Sequence, residues 1–388
     1  MLPLIDLKRQ YAQIETRVKK AVVDVLDSGQ YIQGSEVAEL EQRLAAYAGT
    51  TYCVSCASGT DALLMALMAK GVGPGSIIFT TPFTFVATAE VIALLGATPF
   101  FVDVDPTSFN MDPKQLELAI AACRSRDPGI YPLPAAVIEK EMKPEGVIAV
   151  DLFGLPAEYD RINSIAAEND LFVIEDAAQS FGATYRGRKT GGLADIGCTS
   201  FFPAKPLGGC GDGGAIFCND DQTKQLLESI RVHGQGESKY ENVRLGVTGR
   251  LDAIQAAYLK VKLDIFDDEF KARQKVSAYY NACLQDAEGF RVPCVPEYSA
   301  SAWAQYTLLA SNQERRDRVL EALAAADIGH SIYYPIPLHL QRAFTYLGYQ
   351  VTDFHVAENL ASRVFSIPMH PYLTESEIES VVQVIIRS

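Results

Sequence analysis

The sequence predicts an α/β protein with a mostly parallel sheet in a large first domain and a smaller α+β domain after it. Between about residues 50 and 220, short apolar runs typical of doubly buried strands alternate with helical patterns. After Leu251 the chain changes to a long helical stretch and then to Pro-bounded strands around one helix. Strand–helix alternation favours βαβ units covered by helices on both faces. We expect domains at 1–262 and 263–388.

The individual elements follow from the same patterns. An amphipathic leading helix spans Leu7–Ser28 and ends before Gly29. The predicted strands are Cys53–Ala57, Ile77–Thr81, Pro99–Asp103, Val147–Phe153, Leu171–Glu175, Gly197–Phe202 and Ala215–Cys218. The predicted helices between them are Asp61–Lys70, Thr84–Leu95, Pro113–Cys123 and Ala157–Asn169.

Three further segments complete the predicted organisation. Prolines and charged clusters at 124–146 indicate a surface insertion, with a short helix at Ala135–Met142. One long helix, Asp252–Leu284, can bridge the two domains, and Arg315–Ala325 is a helix of the second domain.

Composition and charge exclude several classes of function. Of the 388 residues, 48% are hydrophobic and 21% are charged, as in ordinary globular chains. The net charge of −14, without any basic stripe, argues against a nucleic-acid partner. The first ten residues mix acids and bases, unlike a signal peptide, and no apolar run reaches the roughly 18 residues of a membrane span. We therefore expect a cytoplasmic protein with no membrane partner.

Cysteine and histidine patterns do not indicate a metal. The eight cysteines lie mostly in apolar strand-like runs, which indicates reduced, buried thiols. Cys53 and Cys56 form a C-x-x-C without a second pair nearby, so a strand is the preferred interpretation. The histidines of the C-terminal region are spaced irregularly, and we expect no metal site.

The first segment that can carry chemistry is Ala-Ser-Gly-Thr-Asp at 57–61, directly before a predicted helix. Gly59 permits close backbone approach, while Thr60 and the free amides of the first helical turn can bind a phosphate. Plain helix capping by the same residues is the alternative.

The second segment is Glu-Asp-Ala-Ala-Gln-Ser at 175–180, where an apolar strand ends in two acids. A carboxylate at such a strand end is costly to bury unless it meets a cation or a strong donor. A protonated ring nitrogen would be such a partner for Asp176. An Asp that caps a loop or pairs with a surface arginine is the alternative.

The third segment, 199–214, places Lys205 among apolar residues and glycines. A lysine in such surroundings can lose its proton and attack a carbonyl to form an imine, although a solvated surface lysine remains the alternative. Gly209, Gly211 and Gly214 also fit G-x-G-x-x-G. The dinucleotide fingerprint must open a helix, whereas these glycines lead into a predicted strand, which argues against it.

Together, the three segments supply the phosphate cup, carboxylate and lysine that pyridoxal phosphate (PLP) requires. The sequence resembles the nucleotide-sugar aminotransferases of the DegT/DnrJ/EryC1/StrS family, which have the aspartate-aminotransferase-like fold, fold type I. The resemblance extends over nearly the whole chain. The motifs that carry it are 56–63, 175–182 and 200–208 with 211–214.

This resemblance implies a role for each matching residue. Lys205 carries the cofactor and moves the proton, while Asp176 pairs with the pyridine nitrogen. The other implied cofactor contacts are Gly59, Thr60 and Ser200 to the phosphate, Gln179 beside the ring hydroxyl, and Phe85 stacked on the ring. A homodimer is implied, in which a G-x-N-x-R segment of the partner subunit completes each site. That segment is 246–250 here, with Thr248 in place of the usual Asn.

Within the family, segments 29–34, 198–203, 231–235 and 334–338 are similar to enzymes that aminate UDP-2-acetamido-2-deoxy-3-oxo-glucuronate with glutamate. This similarity implies that Arg250 holds the acidic substrate and that Tyr333 and Tyr334 lie near the nucleotide sugar. His233 either lines the mouth of the site or caps a helix. Asp151 stands where many relatives have His or Ser.

The hypothesis is a two-half transamination that serves bacterial surface-polysaccharide synthesis, such as lipopolysaccharide O-antigen. Amination at C4 of a 4-oxo UDP- or dTDP-sugar is one alternative. A PLP-dependent sugar dehydratase is another, but such relatives have a histidine where this chain has Lys205. A non-catalytic PLP-binding regulator would ordinarily carry a DNA-binding arm, for which neither end of the chain has the length or charge.

Overall fold

A computed structural model describes residues 1–388 of the protein. Its helices are α1 Leu7–Ser28, α2 Ser35–Ala48, α3 Gly59–Ala69, α4 Ala87–Leu94, α5 Pro113–Ser125, α6 Ala135–Glu139, α7 Tyr159–Glu168, α8 Asp221–Ile230, α9 Ala253–Leu263, α10 Phe266–Leu284, α11 Gln313–Ala325, α12 His355–Arg363 and α13 Glu375–Arg387. Its strands are β1 Tyr52–Cys56, β2 Ser76–Thr80, β3 Thr98–Phe101, β4 Lys143–Val150, β5 Phe172–Asp176, β6 Thr184–Tyr185, β7 Arg188–Lys189, β8 Ile196–Ser200, β9 Gly214–Cys218, β10 Phe290–Arg291, β11 Ser299–Ala300, β12 Tyr306–Ala310 and β13 Val364–Ile367.

The central sheet has seven strands in the order β1-β9-β8-β5-β4-β2-β3. Only β9 runs against its neighbours, pairing antiparallel with both β1 and β8. The other pairs are parallel. Six strands therefore end at the same edge, where open α/β sheets bind their ligands. The predicted α/β fold with a mostly parallel sheet is confirmed.

Both faces of this sheet are buried. Successive side chains of a strand point to opposite faces, and β2 shows the result: Ile77 and Phe79 belong to one apolar cluster, while Ile78 belongs to another. All five residues of β2 and all five of β9 are buried. The continuous apolar runs in the sequence thus reflect helices packed on each face.

The C-terminal part contains a second sheet, β10-β12-β13, whose pairs are antiparallel. The first residues of the chain join this region: the Leu2 N–H donates to the Asp327 carbonyl at 3.0 Å, and the Met369 N–H donates to the Leu4 carbonyl at 3.0 Å. The domain boundary at 262/263 stays a prediction. The break between α9 and α10 lies next to it.

Two expectations need correction. The single helix Asp252–Leu284 is wrong: Asp264 and Ile265 separate α9 from α10, and the Phe266 ring turns inward against Tyr47 and Phe181. The insertion 124–146 is also too long, because α5 continues to Ser125 and β4 begins at Lys143.

The segment between α5 and β4 is not purely superficial either. Tyr131, Leu133 and Val137 are buried in the main apolar cluster. Because the segment is rich in prolines and charges, its sequence did not indicate that these three side chains are buried.

No α-helix combines the length and the apolar character that crossing a membrane requires.

Gly197 in β8 provides a test of this packing. A Cβ atom there would lie 2.2 Å from the Gly191 carbonyl oxygen, whereas one on Gly73 would meet nothing within 4 Å. We expect Gly197→Ala to lower the free energy of unfolding by about 1–3 kcal/mol or more, as overpacking does. Gly73→Ala is the control and should change it by less than about 0.5 kcal/mol. Urea unfolding of both variants would measure this, and equal stabilities would contradict the packing described.

Candidate active site

The carboxyl edge of the central sheet gathers most of the residues singled out in the sequence. Asp176 is the last residue of β5 and Ser200 the last of β8. Gly59 begins α3 shortly after β1, and Phe85 follows β2. The edge location is a direct consequence of the strand directions, because all these strands end on the same side.

Lys205 lies in the tight connection between β8 and β9. Its backbone N–H donates to the Phe202 carbonyl at 2.8 Å, and the Gly209 N–H donates to the Phe201 carbonyl at 2.7 Å. A Cβ on Gly208 would lie 2.2 Å from the Pro203 carbonyl oxygen, so this turn requires glycine there. Burial lowers the pKa of the Lys205 amine, and the negative charge of Asp176 partly opposes that effect. The amine therefore loses its proton more readily than an exposed lysine.

Asp176 is a buried carboxyl group, 6% exposed. Its Oδ2 accepts a hydrogen bond from the Thr88 hydroxyl at 2.9 Å, and its Oδ1 accepts one from the Ala178 N–H at 3.2 Å. Burial raises the pKa of Asp176, while these two donors and Lys205 act in the opposite direction. A cation bound beside this carboxylate would be stabilised by it.

The start of α3 forms a cup against the ends of β8 and β9. The Ser58 hydroxyl caps the helix by accepting from the Asp61 N–H at 2.9 Å. A Cβ on Gly59 would lie 2.6 Å from the Cβ of Ser200, and one on Gly214 would lie 2.4 Å from the Ser58 carbonyl oxygen. The first-turn amides of α3, including those of Gly59 and Thr60, thus face this edge at the positive end of the helix.

Gln179 connects the sheet edge to the C-terminal part of the chain. Its Oε1 accepts from the Phe153 N–H at 2.6 Å, and its Nε2 donates to the Tyr334 hydroxyl at 3.1 Å. The Tyr334 ring lies 6.2 Å from the Phe85 ring and 5.8 Å from the Tyr333 ring, measured between centroids. Phe85 is 52% exposed, which leaves its ring available to a ligand.

The remaining predicted site residues form a separate group. Thr248 Oγ1 lies 2.6 Å from His233 Nε2, and both side chains are exposed. Between Thr248 and Arg250, the Gly249 carbonyl accepts from the Ala57 N–H at 3.1 Å, which holds this segment next to the phosphate cup. The Arg250 Nε is buried without a hydrogen-bond partner. No hydrogen bond or ion pair joins these three side chains to Lys205 or Asp176.

His233 does not cap α8 with its ring, because its imidazole bonds Thr248. The backbone beyond α8 is instead closed by the Gly234 N–H, which donates to the Ser229 carbonyl at 2.8 Å. The position of His233 at the mouth of the site stays a prediction.

Asp151 has a structural environment that the sequence did not indicate. Its carboxylate accepts hydrogen bonds from the Ser180 hydroxyl at 2.6 Å, the Tyr159 hydroxyl at 2.8 Å and the Ala157 N–H at 2.9 Å. Burial raises the pKa of Asp151 to about 7. The carboxylate therefore ties the start of α7 to Ser180 in the turn after β5. The available signal was that Asp151 follows β4 much as Asp176 ends β5.

Thr88 is the residue of this site that sequence reasoning missed. It lies in the first turn of α4 among apolar residues, and nothing in its spacing distinguishes it from an ordinary helical threonine. Only the path of the chain, which brings α4 against the end of β5, reveals the hydroxyl's partner.

The comparisons with known proteins agree with this geometry. The pattern of the DegT/DnrJ/EryC1/StrS aminotransferase family matches residues 12–386. The chain belongs to this family. It is 44% identical over 379 residues, covering 98% of each chain, to a UDP-2-acetamido-2-deoxy-3-oxo-D-glucuronate aminotransferase of Pseudomonas aeruginosa. It is also 40% identical over 384 residues, 98% of this chain and 97% of the relative, to a pleiotropic regulatory protein of Geobacillus stearothermophilus.

Among solved structures, a family aminotransferase from Brucella abortus superposes with a TM-score of 0.92 at 46% identity, covering 99% of this chain and 98% of that one. Fold type I is therefore confirmed, and the protein is a PLP-dependent aminotransferase. The site fits the cofactor: the cup at α3 offers amides to its phosphate, Asp176 offers a carboxylate to its ring nitrogen, and Lys205 offers an amine to its aldehyde. Bound there, PLP supplies an electron sink for transamination.

Lys205 and Lys262 form a matched pair for testing this assignment. Lys262 in α9 is buried more deeply than Lys205, and burial lowers its pKa to about 8. After borohydride reduction of the holoenzyme, we expect mass spectrometry to find the pyridoxyl group on Lys205 alone. Lys205→Ala should lose the adduct, the visible absorbance of the bound cofactor and turnover, whereas Lys262→Met should keep all three. An adduct on Lys262 would mean that burial alone selects the amine.

Proposed function

We propose that this aminotransferase moves an amino group from glutamate to C3 of UDP-2-acetamido-2-deoxy-3-oxo-glucuronate. The observation that carries the chemistry is that the partly buried Lys205 amine and the buried Asp176 carboxyl group lie at one sheet edge, close enough for each to shift the pKa of the other. The substrate is supported by the Pseudomonas relative, which aligns over 98% of both chains. The product would be a UDP-linked amino sugar for bacterial surface polysaccharide such as O-antigen.

In this proposal Lys205 acts twice. Its amine would hold the cofactor through the aldehyde, and when free it would move a proton between the substrate and the cofactor. The lowered pKa of Lys205 suits that exchange, because the amine gives up its proton more easily than an ordinary lysine does. Asp176 stays ionised and stabilises the positive charge that the reaction requires on the ring.

Recognition of the sugar is assigned to Arg250 and the Tyr333–Tyr334 segment. A protein with a net charge of −14 does not attract a nucleotide uronate, which carries a diphosphate and a carboxylate, by its overall field, so a local cation is needed. The Arg250 Nε is buried without a partner, so the guanidinium is short of an acceptor, and a carboxylate or phosphate oxygen of the substrate would supply one to its N–H groups. Tyr334 is positioned by Gln179 beside the cofactor pocket.

We place the enzyme in the cytoplasm. All eight cysteines are free thiols, and five of them are buried: Cys53, Cys56, Cys123, Cys198 and Cys218. Unpaired thiols in this number suit a reducing compartment. A nucleotide-sugar donor and glutamate are substrates that such a compartment would supply.

A homodimer would bring the Thr248 group into a second subunit's site. In one chain this group does not contact Lys205 or Asp176, although it lies beside the phosphate cup. The segment that leads to it exposes two large apolar side chains, Tyr240 at 88% and Leu245 at 89%. A second copy packed on this segment would cover them. Thr248 would then donate its hydroxyl to the cofactor phosphate across the interface, where the family usually has Asn.

A sugar assay distinguishes amination at C3 from amination at C4. The purified holoenzyme would be incubated with glutamate and either a 3-oxo or a 4-oxo UDP-sugar, and the product assigned by NMR. We expect an amino group at C3 and 2-oxoglutarate in equal amount. If only the 4-oxo substrate is aminated, the proposed amination at C3 is wrong and the enzyme acts at C4. No amination of either, with the cofactor bound, would favour the regulatory role that the name of the Geobacillus relative suggests.

Subunit mixing tests whether Arg250 acts across the interface. Lys205→Ala and Arg250→Ala should each be nearly inactive alone. If the sites are shared, refolding an equal mixture creates heterodimers with one intact site, and activity should recover to about a quarter of wild type. Either variant refolded with itself is the control. No recovery in a mixture that size-exclusion chromatography shows to be dimeric would place Arg250 in its own subunit's site.

A further inference from the structure

Two buried hydroxyl groups lie in a line that ends at Asp176. Thr84 Oγ1 is 3.2 Å from Thr88 Oγ1, and Thr88 Oγ1 is 2.9 Å from Asp176 Oδ2. Thr84 and Thr88 are only 2% and 1% exposed, so water does not compete for these hydrogen bonds. We propose that Thr88 is a positioning residue for the aminotransferase reaction, one that fixes the Asp176 carboxylate, and that Thr84 orients the Thr88 hydroxyl.

The direction of both hydrogen bonds follows from their chemistry. An ionised carboxylate only accepts, so the Thr88 hydroxyl must donate to Asp176. A hydroxyl has one hydrogen, and Thr88 has then used it. In the pair of threonines, Thr84 must therefore donate to Thr88. Each donation polarises the next, which strengthens the hydrogen bond that reaches the carboxylate.

The two hydroxyls counteract the effect of burial on the Asp176 carboxylate. Asp176 is buried, and burial favours its neutral form, which could not pair with a protonated ring nitrogen. The Thr88 hydroxyl favours the ionised form and holds Oδ2 in one direction, while the Ala178 N–H holds Oδ1. The titratable groups that face Asp176 are Lys205, Asp151, Tyr159, Cys198 and Tyr334. Only Lys205 among them favours the carboxylate.

The same short segment also carries Phe85, which lies between the two threonines in sequence. Thr84 precedes α4 and Thr88 lies in its first turn, and the hydrogen bond between their hydroxyls joins the two. Their attachment to Asp176 therefore fixes where the Phe85 ring stands relative to the carboxylate. In this role Thr88 sets the two protein groups that would contact the cofactor ring from different sides.

The test uses Thr88→Val, which keeps the branched shape and removes the hydroxyl, and Thr88→Ser, which keeps the hydroxyl. The matched control is Thr80→Val, because Thr80 is also fully buried and its hydroxyl donates to a backbone carbonyl, that of Ile148, at 3.1 Å. The Kd of PLP for each apoenzyme would be measured by absorbance and fluorescence from about pH 9 down to about pH 5, toward the range in which carboxyl groups take up protons. Urea unfolding of each apoenzyme would report stability separately.

We expect Thr88→Val to weaken PLP binding by about tenfold at neutral pH, the effect of one lost charge-assisted hydrogen bond. The pKa of Asp176 rises in this variant, so a larger fraction is protonated at low pH and the Kd ratio to wild type should grow as pH falls. Thr88→Ser should stay within about threefold of wild type, and Thr80→Val should lose stability without a pH-dependent Kd ratio.

A Kd ratio for Thr88→Val that stays near one at every pH would overturn the proposal, as would one that Thr80→Val reproduces with the same pH dependence. The inference rests on PLP as the cofactor but not on the sugar substrate. If the sugar assay fails but PLP binds normally, the proposed role of Thr88 is unaffected. If wild type and Thr88→Val bind PLP equally well and the enzyme is fully active, only the proposed role of Thr88 is wrong.

Discussion

The active site depends on keeping Asp176 charged inside the protein. A carboxylate at the end of a buried strand pays a large desolvation cost, and this structure offsets it with the Thr88 hydroxyl, the Ala178 N–H and the nearby Lys205 amine. The same burial lowers the pKa of Lys205. The two groups are therefore interdependent. The negative charge of Asp176 raises the pKa of Lys205, and the positive charge of Lys205 lowers the pKa of Asp176, so each favours the charged form of the other.

Around that pair, the fold supplies each further contact from a different strand end. The cup at α3 follows β1, Phe85 and Thr88 follow β2, the Asp151 network follows β4, and Ser200 ends β8. Rigid strands fix these positions, while the Tyr333–Tyr334 segment of the C-terminal part reaches over through Gln179. The proposed cofactor contacts thus come from the sheet edge, whereas the proposed contacts to the sugar include a segment of the C-terminal part of the chain.

Much of this arrangement could be predicted from the sequence because its signals are local. Doubly buried strands are visible as unbroken apolar runs, and Lys205, Asp176 and the 57–61 cup each stand at the end of such a run. Segment boundaries that depend on tertiary contacts were harder to predict from the sequence. The break between α9 and α10 depends on the inward packing of Phe266, and the start of β4 at Lys143 depends on pairing with Ser76. Thr88 depends on a contact 88 residues away in the chain.

The reversed strand β9 has a consequence for the lysine. Parallel neighbours need long crossovers, but β8 and β9 are antiparallel and are joined directly by the Gly-rich turn that carries Lys205. The Lys205 amine is therefore carried by a connection whose two ends, Ser200 and Gly214, pair with each other in the sheet. An amine anchored in this way on both sides can keep its place while the pocket around it accepts first an amino donor and then an amino acceptor.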